Sequence, residues 1–338
     1  MRLLPLTVVP VVPILLIAAG AAAQPAPTES APPSATTVGF MHAIHATNQL
    51  DETLAFYTEV FGLSGEARPF PNPAVAILTN SPGVSLRVAM LRLPGEGFNF
   101  ELTEFTNVPR SPAQPSIVDP GAPHMKILVH DLAPVMSALD KLGATIVTRS
   151  SAPVRVSTEL GTVEAIFFRD PDGYLVEAVQ PTRQGGAATD TNVLGAIMGL
   201  TVADLDASLE FWHGLLGFDL ERDEAYSSDA AMLDLFGVKG NVAFRTARGV
   251  VPGSNARIEL IEFRDVPRKP FDLRVPDPGA SGMAIRVAAI GALLPKLAAA
   301  GTRIVSKDRA LVEWSATVRN VFVKDPNGLN IELVGNVD

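Results

Sequence analysis

ELTEFTNVPRSPAQPSIVDPGA occupies residues 101–122, and ELIEFRDVPRKPFDLRVPDPGA occupies residues 259–280. The two stretches share their first glutamate, the tripeptide VPR and the closing DPGA. Further pairs repeat on either side of them: FYTEVFGL at 56–63 with FWHGLLGF at 211–218, and FFRDPDGYLVEAV at 167–179 with FVKDPNGLNIELV at 322–334. A repeat this long indicates a duplicated domain rather than a solenoid of short repeats.

The composition limits the kinds of partner. The chain has 338 residues, of which 47% are hydrophobic and 19% charged, so it has room for two globular domains. The formal net charge is −9 and there is no lysine or arginine cluster, which disfavours nucleic acid as a partner. The absence of cysteine excludes disulfides, zinc–thiolate sites and thiol nucleophiles. We therefore expect the partner to be a small-molecule substrate or ligand.

The N-terminus has the pattern of a secretory signal peptide over residues 1–23. Arg2 supplies a positive charge, an apolar run follows it, and three alanines form a small-residue cleavage site. Prolines interrupt the run, which disfavours the alternative of a membrane anchor. Residues 24–37 are rich in proline, alanine, serine and threonine and are typical of a flexible tether. We expect a periplasmic or secreted protein, without stable membrane association once the signal is removed.

The remaining chain divides into four similar segments, each a strand, a helix and then about three strands. The polar, glycine-rich stretch 182–192 is the predicted linker. It separates an N-terminal domain, 38–181, from a C-terminal domain, 193–338. The predicted fold class is therefore α+β.

Local signals place elements within these segments. Apolar residues at helical spacing predict a helix at about 51–61, and a second helix at about 132–142 is expected to end at Gly143. The apolar run Ala74–Thr79 is predicted to be a strand. The tetrapeptide Asp-Pro-Asp-Gly at 170–173 predicts a tight turn between the last two strands of the second segment.

Two glutamates stand in apolar strands, where a carboxylate is costly unless it is paired or binds a cation. Alternation places Phe100 and Leu102 on one face of their strand and Glu101 on the other, facing whatever the sheet encloses. In the second segment Glu177 lies on the face of its apolar neighbours Leu175 and Val179.

Two histidines complete a matched pattern with these glutamates. His42 lies in the first strand of the first segment, and His124 directly precedes the first strand of the second. If the two segments pair about a pseudo-twofold axis, His42, Glu101, His124 and Glu177 converge. Imidazoles and carboxylates together suit one divalent ion such as zinc, nickel, iron, manganese or cobalt. Taken singly, each residue is better explained as a solvated surface group or a core histidine, and only the four together favour a metal site.

These residues and turns resemble the vicinal oxygen chelate superfamily, which includes glyoxalase I, extradiol dioxygenases and the bleomycin resistance proteins. The resemblance implies a βαβββ module used four times, with two modules forming a U-shaped sheet around one metal. It also implies metal-ligand positions at His42, Glu101, His124 and Glu177, a set that looks like that of bacterial glyoxalase I. The second half lacks both histidines, because Ile197 and Gly282 take their places. We therefore interpret the C-terminal domain as degenerate.

The pairing of modules decides which ligands meet. Pairing of modules 1 and 2 gives the four-ligand site, and because that set is complete we expect this adjacent pairing. Pairing of 1 with 4 and of 2 with 3 would instead give two three-ligand sites. These sites are His42 with Glu101 and Glu332, and His124 with Glu177 and Glu259. Four modules in one chain can mimic the dimer of two-module relatives, so a monomer or a homodimer is expected.

Three chemistries remain open. The first is metal-assisted enolisation, isomerisation or lyase chemistry on a small oxygen-rich molecule, with Glu177 as the candidate base and Glu101 second. Ala46 and Phe105 stand where the family's glutathione-dependent enzymes place an arginine and an asparagine, which disfavours glutathione. The second is an extradiol-type dioxygenase with Fe(II) held by His42, His124 and Glu177. The third is a non-catalytic protein that sequesters a ligand, as in bleomycin resistance.

Overall fold

The computed structural model describes residues 36–94, 98–182 and 191–336. The predicted signal peptide, most of the predicted tether and most of the predicted linker lie outside these residues. Within the described residues, no helix has the length and apolar character needed to cross a membrane.

Four modules with the same order of elements make up the described chain, and the α+β prediction is confirmed. Module 1 contains β1 (Thr37–Thr47), α1 (Leu50–Phe61), β2 (Arg68–Pro69), α2 (Ala74–Leu78), β3 (Ser85–Arg92) and β4 (Asn99–Thr106). Module 2 contains β5 (Pro123–Val129), α3 (Leu132–Leu142), β6 (Val154–Thr158), β7 (Gly161–Arg169) and β8 (Leu175–Pro181).

Modules 3 and 4 repeat this order with small variations. Module 3 contains β9 (Val193–Val202), α4 (Leu205–Leu209), a π-helical turn (Glu210–Leu215), β10 (Asp219–Arg222), α5 (Ala230–Leu235), β11 (Ala243–Val250) and β12 (Arg257–Arg264). Module 4 contains β13 (Ser281–Val287), α6 (Ile290–Ala299), a 3-10 turn (Lys307–Arg309), β14 (Val312–Glu313), β15 (Val318–Lys324) and β16 (Asn330–Asn336).

Local chemistry accounts for most of these boundaries. Helix α3 begins after Asp131, whose side chain accepts a hydrogen bond from the Ala133 amide, and it ends at Gly143 in the left-handed conformation. The prediction of a strand at Ala74–Thr79 is wrong, because that segment forms α2. The Asn72 side chain accepts a hydrogen bond from the Ala74 amide and so starts a helical turn.

The eight-stranded sheets combine the two halves of the chain. One sheet has the order β14-β15-β16-β13-β1-β4-β3-β2 and so joins module 1 to module 4. The other has the order β10-β11-β12-β9-β5-β8-β7-β6 and joins module 2 to module 3. The expectation that adjacent modules pair is therefore wrong. In each sheet the central contact is antiparallel, between β1 and β13 or between β5 and β9.

The repeated VPR-to-DPGA stretches are the two crossings between the sheets, and they bind each other. The Phe271 amide donates to the Pro120 carbonyl and the Ala113 amide to the Pro278 carbonyl. A β-carbon at Gly121 would lie 2.1 Å from the Phe271 carbonyl oxygen, so this position requires glycine. The repeat is thus a structural clamp that fastens one crossing to the other.

Each sheet has an inner face and a face covered by helices. Phe98, Phe100 and Leu102 pack with Leu50 and Tyr57 of α1 in the main core, as the alternation predicts. The opposite face of the module 1–module 4 sheet lines a cavity, and we call this sheet and its cavity the first cup. We call the module 2–module 3 sheet and its inner face the second cup.

Candidate functional site

The first cup brings together one histidine and two glutamates. His42 and Glu101 project from neighbouring parallel strands, β1 and β4, and His42 Nε2 lies 3.8 Å from Glu101 Oε2. Glu332 on β16 lines the same cavity, which has a volume of about 460 Å³. The Asn320 side-chain amide donates to Glu332 Oε1 at 2.6 Å and so fixes that carboxyl group.

Burial controls the ionisation of all three groups. Burial raises the pKa of Glu101 to about 7. Burial also raises the pKa of Glu332 to about 7; the His42 charge lowers this pKa and the Glu101 charge raises it. Burial lowers the pKa of His42, against the effect of the Glu332 charge. Within the described residues, no lysine or arginine forms an ion pair with either carboxylate. The first cup therefore holds two acidic groups that lack a compensating cation.

The second cup holds the equivalent glutamates, but a lysine lies between them. Lys126 Nζ lies 2.9 Å from Glu259 Oε2 and 3.6 Å from Glu177 Oε2. Burial lowers the pKa of Lys126, but the charges of Glu177 and Glu259 outweigh burial and keep its pKa above the usual value. The ammonium group thus supplies the positive charge that the first cup lacks. Ile44 is the equivalent of Lys126 there, since each stands beside its module's glutamate in the β-ladder.

His124 is fully buried at the base of the second cup. Its ring lies across the neighbouring strand, where a β-carbon at Gly199 would be 1.9 Å from Nε2. In the described part of the chain neither ring nitrogen has a hydrogen-bond partner, and the ring packs edge-on against Phe167. Burial and then the Lys126 charge lower the pKa of His124 to about 3, so the imidazole is neutral.

The two cups also differ in their linings. The first cavity has mainly apolar walls, which include Phe70, Phe105, Trp314 and Phe322. A cavity of about 420 Å³ opens at the second cup, but it is lined by many charged groups, among them Lys126, Glu159, Asp223, Arg248 and Glu259. Several of these charges are paired, as Arg248 is with Asp223.

A third cluster, His45 with Asp170 and Asp172, has residue types and spacing that could hold a cation. Its ligand atoms all lie within 4.8 Å of one another and its members are buried. His45 Nε2 is 2.9 Å from Asp170 Oδ2, and burial opposes but does not overcome the two carboxylates, which raise the pKa of His45 to about 10.

The oxygens of this third cluster already have partners. Asp172 accepts hydrogen bonds from the Asn48 amide and the Thr53 hydroxyl, and Asp170 accepts one from the Tyr57 hydroxyl. The Asp-Pro-Asp-Gly turn between β7 and β8 is as predicted, and it docks in this way on module 1. The His45 imidazolium completes the network. The cluster thus connects module 1 of the first cup to module 2 of the second, and we call it a joint between the cups. This cluster was not predicted from the sequence, although His45 and the Asp-Pro-Asp-Gly turn are both visible there.

The structure divides the four predicted metal ligands into two pairs. His42 and Glu101 lie in the first cup, whereas His124 and Glu177 lie in the second. The physical reason is the pairing of module 1 with module 4, which brings Glu332 to His42 and Glu101. The position of Lys126 beside the glutamates was not predicted either, although a lysine inside the apolar strand PHMKILV is an unusual feature of the sequence.

Comparison with known proteins defines the family. The model of the Glyoxalase/Bleomycin resistance protein/Dioxygenase superfamily matches residues 39–178 and again 194–333. The chain belongs to this superfamily. The resemblance read from the sequence is thereby confirmed.

The individual relatives share less than a third of their residues with this chain over the matched regions. A lactoylglutathione lyase of Arabidopsis thaliana is 29% identical over 188 residues, which are 54% of this chain and 56% of the relative. The chain thus spans about half the length of that relative. A probable lactoylglutathione lyase of Vibrio parahaemolyticus is 26% identical over 41% of this chain and 88% of its own.

Glyoxalase I from Zea mays has a similar fold. Its crystal structure matches with a TM-score of 0.55 at 21% identity and covers 88% of this chain and 92% of its own. At this level of identity the likeness concerns the fold alone, and it extends over both cups.

Proposed function

We propose that this protein is a divalent-metal enzyme whose metal is held in the first cup by His42, Glu101 and Glu332. The single observation that carries the proposal is the pair of half-buried carboxylates, Glu101 and Glu332, that face an open cavity and form no ion pair with a lysine or arginine of the described residues. The second cup shows how the same pair is satisfied when a cation is present, because Lys126 binds Glu259 and lies beside Glu177.

The donor set fits a transition-metal ion. The lowered pKa of His42 leaves the imidazole neutral, with a lone pair for coordination, and both carboxylates offer oxygen ligands. Three protein ligands beside a cavity leave positions for substrate oxygens. Asn320 orients Glu332 from the outside, as expected of a group that positions a ligand. We propose one divalent ion per chain, drawn from zinc, nickel, iron, manganese and cobalt.

The proposed chemistry is enolisation, isomerisation or lyase chemistry on a small oxygen-rich molecule. A metal ion bound there would supply Lewis acidity to two neighbouring substrate oxygens. Glu101 faces the cavity, and among the described residues its one ion-pair partner is His42, so Glu101 can accept a proton from substrate and return it. Glu177 does not share this cavity, because its carboxylate lies beside Lys126 in the second cup. Glu101 therefore replaces Glu177 as our preferred base.

The dioxygenase alternative loses its ligand set in this arrangement. It needs His42, His124 and Glu177 around one iron, and the structure places His42 in one cup and the other two in the other. Ligand sequestration without turnover remains the alternative outcome of the test below.

The test is the metal content of protein purified without chelator, with His42→Ala and His124→Ala as matched variants. We expect about one equivalent of a transition metal in the parent and in His124→Ala, and none in His42→Ala. Loss of metal in His124→Ala with retention in His42→Ala would contradict the proposal. Absence of metal from the parent after reconstitution would favour the sequestering protein.

Export to the periplasm or the exterior is a further part of the proposal. It rests on the signal-like pattern of residues 1–23. N-terminal sequencing of the mature protein tests it, and we expect the chain to begin at Gln24. A chain that retains residues 1–23 would contradict it.

A further inference from the structure

The first cavity differs from the second in the chemistry of the molecule that it can hold. Its walls come from both modules and are largely aliphatic and aromatic: Val75, Leu78, Leu86, Phe105, Val275 and Phe322. His42, Glu101 and Glu332 also line it and are neighbours, since His42 Nε2 lies 3.8 Å from Glu101 Oε2 and both groups act electrostatically on Glu332. A ligand that fits must therefore have an oxygen-bearing end and an apolar body.

An aromatic pair joins the two ends of the sheet across this cavity. Phe70 precedes α2, and Trp314 follows the edge strand β14. Their ring centroids are 5.9 Å apart and the rings are 18° from parallel. Both rings line the cavity and both are half-buried, so each retains surface that a ligand could cover. Phe70 is held by its amide, which donates to the Leu86 carbonyl, and Trp314 by its amide, which donates to the Val318 carbonyl.

The same cavity is poorly suited to a peptide-like ligand with several charges. Among its described lining residues, Arg286 is the one lysine or arginine, and its side chain is exposed. Phe105 lines the wall, and Ala46 is buried in the apolar cluster behind it. A glutathione conjugate carries two carboxylates and an ammonium group, and these would meet apolar walls and two glutamates. Such a mismatch costs affinity because the charges lose water without gaining partners.

We infer that the first cup binds a compact molecule with an oxygen-bearing group on an aromatic body, and that Phe70 and Trp314 contact that body. The oxygen-bearing end of the ligand is inferred from the proposed function, on which this inference rests. The aromatic body is inferred from the apolar walls and from the Phe70–Trp314 pair. Aromatic rings favour other rings in offset or edge contacts, which supports an aryl group over a flexible chain.

The test compares two probes that share an α-keto acid group and differ only in the body. Phenylglyoxylate has a phenyl ring and pyruvate has a methyl group. We would titrate both into the full protein, with and without one equivalent of zinc, by calorimetry and by tryptophan fluorescence. Trp212 is fully buried, so a ligand-dependent change that is absent from Trp314→Phe reports on Trp314.

We expect phenylglyoxylate to bind about tenfold or more tightly than pyruvate to the zinc-loaded protein, because the ring buries more apolar surface. Trp314→Ala should remove most of this preference and Trp314→Phe should keep it. S-lactoylglutathione should not displace phenylglyoxylate. Thermal unfolding of both variants checks that the fold is retained.

Several outcomes would overturn the inference. Equal affinity for the two probes, no binding of either by zinc-loaded protein, a preference unchanged in Trp314→Ala, or tight binding of S-lactoylglutathione would each do so. The proposed function fails separately. A phenyl preference that is identical with and without zinc would sustain the inference while contradicting a metal that holds the oxygens.

Discussion

The two cups have the same architecture and the same pair of glutamates, but they balance the negative charge differently. In the second cup Lys126 lies between Glu177 and Glu259. In the first cup the equivalent of Lys126 is Ile44, and Glu101 and Glu332 face an apolar-walled cavity without such a partner. The side chain beside each module's glutamate is thus one difference between the cups: an ammonium group in the second and an aliphatic group in the first. The duplicated modules thus place equivalent pairs of glutamates in two different electrostatic environments.

The largest expected effect comes from removing the internal cation. Lys126→Met should lower the free energy of unfolding by about 3–5 kcal/mol, because it leaves two buried carboxylates unpaired. Urea denaturation measures the change. The control is Lys126→Met combined with Glu177→Gln and Glu259→Gln, which removes the uncompensated charge and should recover much of the loss. A loss below about 1 kcal/mol in the single variant would mean that the ion pair is not what satisfies the second cup.

The next expected effect comes from a variant in which the second cup resembles the first. Lys126→Ala vacates the space between Glu177 and Glu259, with neutral His124 nearby, so this variant should bind one more equivalent of zinc or cobalt than the parent. Zinc at a hundredfold excess over its Kd should stabilise the variant by about 2.7 kcal/mol through that extra site. Equilibrium dialysis with metal analysis gives the stoichiometry. Glu177→Gln and Glu259→Gln in the same background should abolish the gain, and an unchanged stoichiometry in Lys126→Ala would refute the equivalence of the two sites.

The joints between the cups allow a third comparison. The module 1–module 2 joint has His45, Asp170 and Asp172, whereas the module 3–module 4 joint has Leu200, Asp325 and Asn327 at the equivalent places. Because the folded-state pKa of His45 is raised to about 10 from 6.5, its stabilisation is present below pH 6.5 and is lost as pH rises towards 10.

In the parent, the free energy of unfolding should fall by up to about 4 kcal/mol over this pH range, and His45→Gln should abolish that fall. Denaturant unfolding of both proteins from pH 6 to 10 measures it. Burial opposes the ionisation of Asp172, but hydrogen bonds from His45 and Thr53 keep its pKa below the usual value, so it stays ionised throughout. The Tyr57 and Tyr174 hydroxyls, whose pKa values burial raises, stay protonated. Parallel pH dependence in parent and variant would contradict a charged His45.

The smallest expected effect is on stability: replacement of the equivalent glutamates Glu101 and Glu177 should change the free energy of unfolding in opposite directions. At pH 8 and without metal, Glu101→Gln should stabilise the protein by about 1 kcal/mol, because it removes a carboxylate whose ionised form is disfavoured. Burial raises the pKa of Glu177 to about 7 as well, but Lys126 opposes that shift. Glu177→Gln should therefore destabilise the protein by about 1–2 kcal/mol, because Lys126 loses a partner. Paired denaturation curves decide the matter. Changes of the same sign would remove the electrostatic contrast between the cups.

Much of the fold could be predicted from the sequence because strand and helix patterns are local. The alternation around Glu101 put its carboxylate on the inner face, and Gly143 marked the end of α3, as the structure shows. Ala74–Thr79 was misassigned because a short apolar run has no period that separates strand from helix. The hydrogen bond that starts this helix, from the Ala74 amide to the Asn72 side chain, depends on the geometry of the preceding loop.

The sequence by itself determined the four modules, their inner faces and the two matched histidine–glutamate pairs. Only the tertiary structure decided which modules pair. All four modules bury equivalent faces, so either pairing satisfies the same hydrophobic pattern, and the choice depends on long-range contacts. Those contacts are the mutual clamp of the crossings and the docking of the Asp170 turn on module 1. The pairing in turn brought Glu332 to His42 and put Lys126 between Glu177 and Glu259, because both arrangements join residues far apart in the chain.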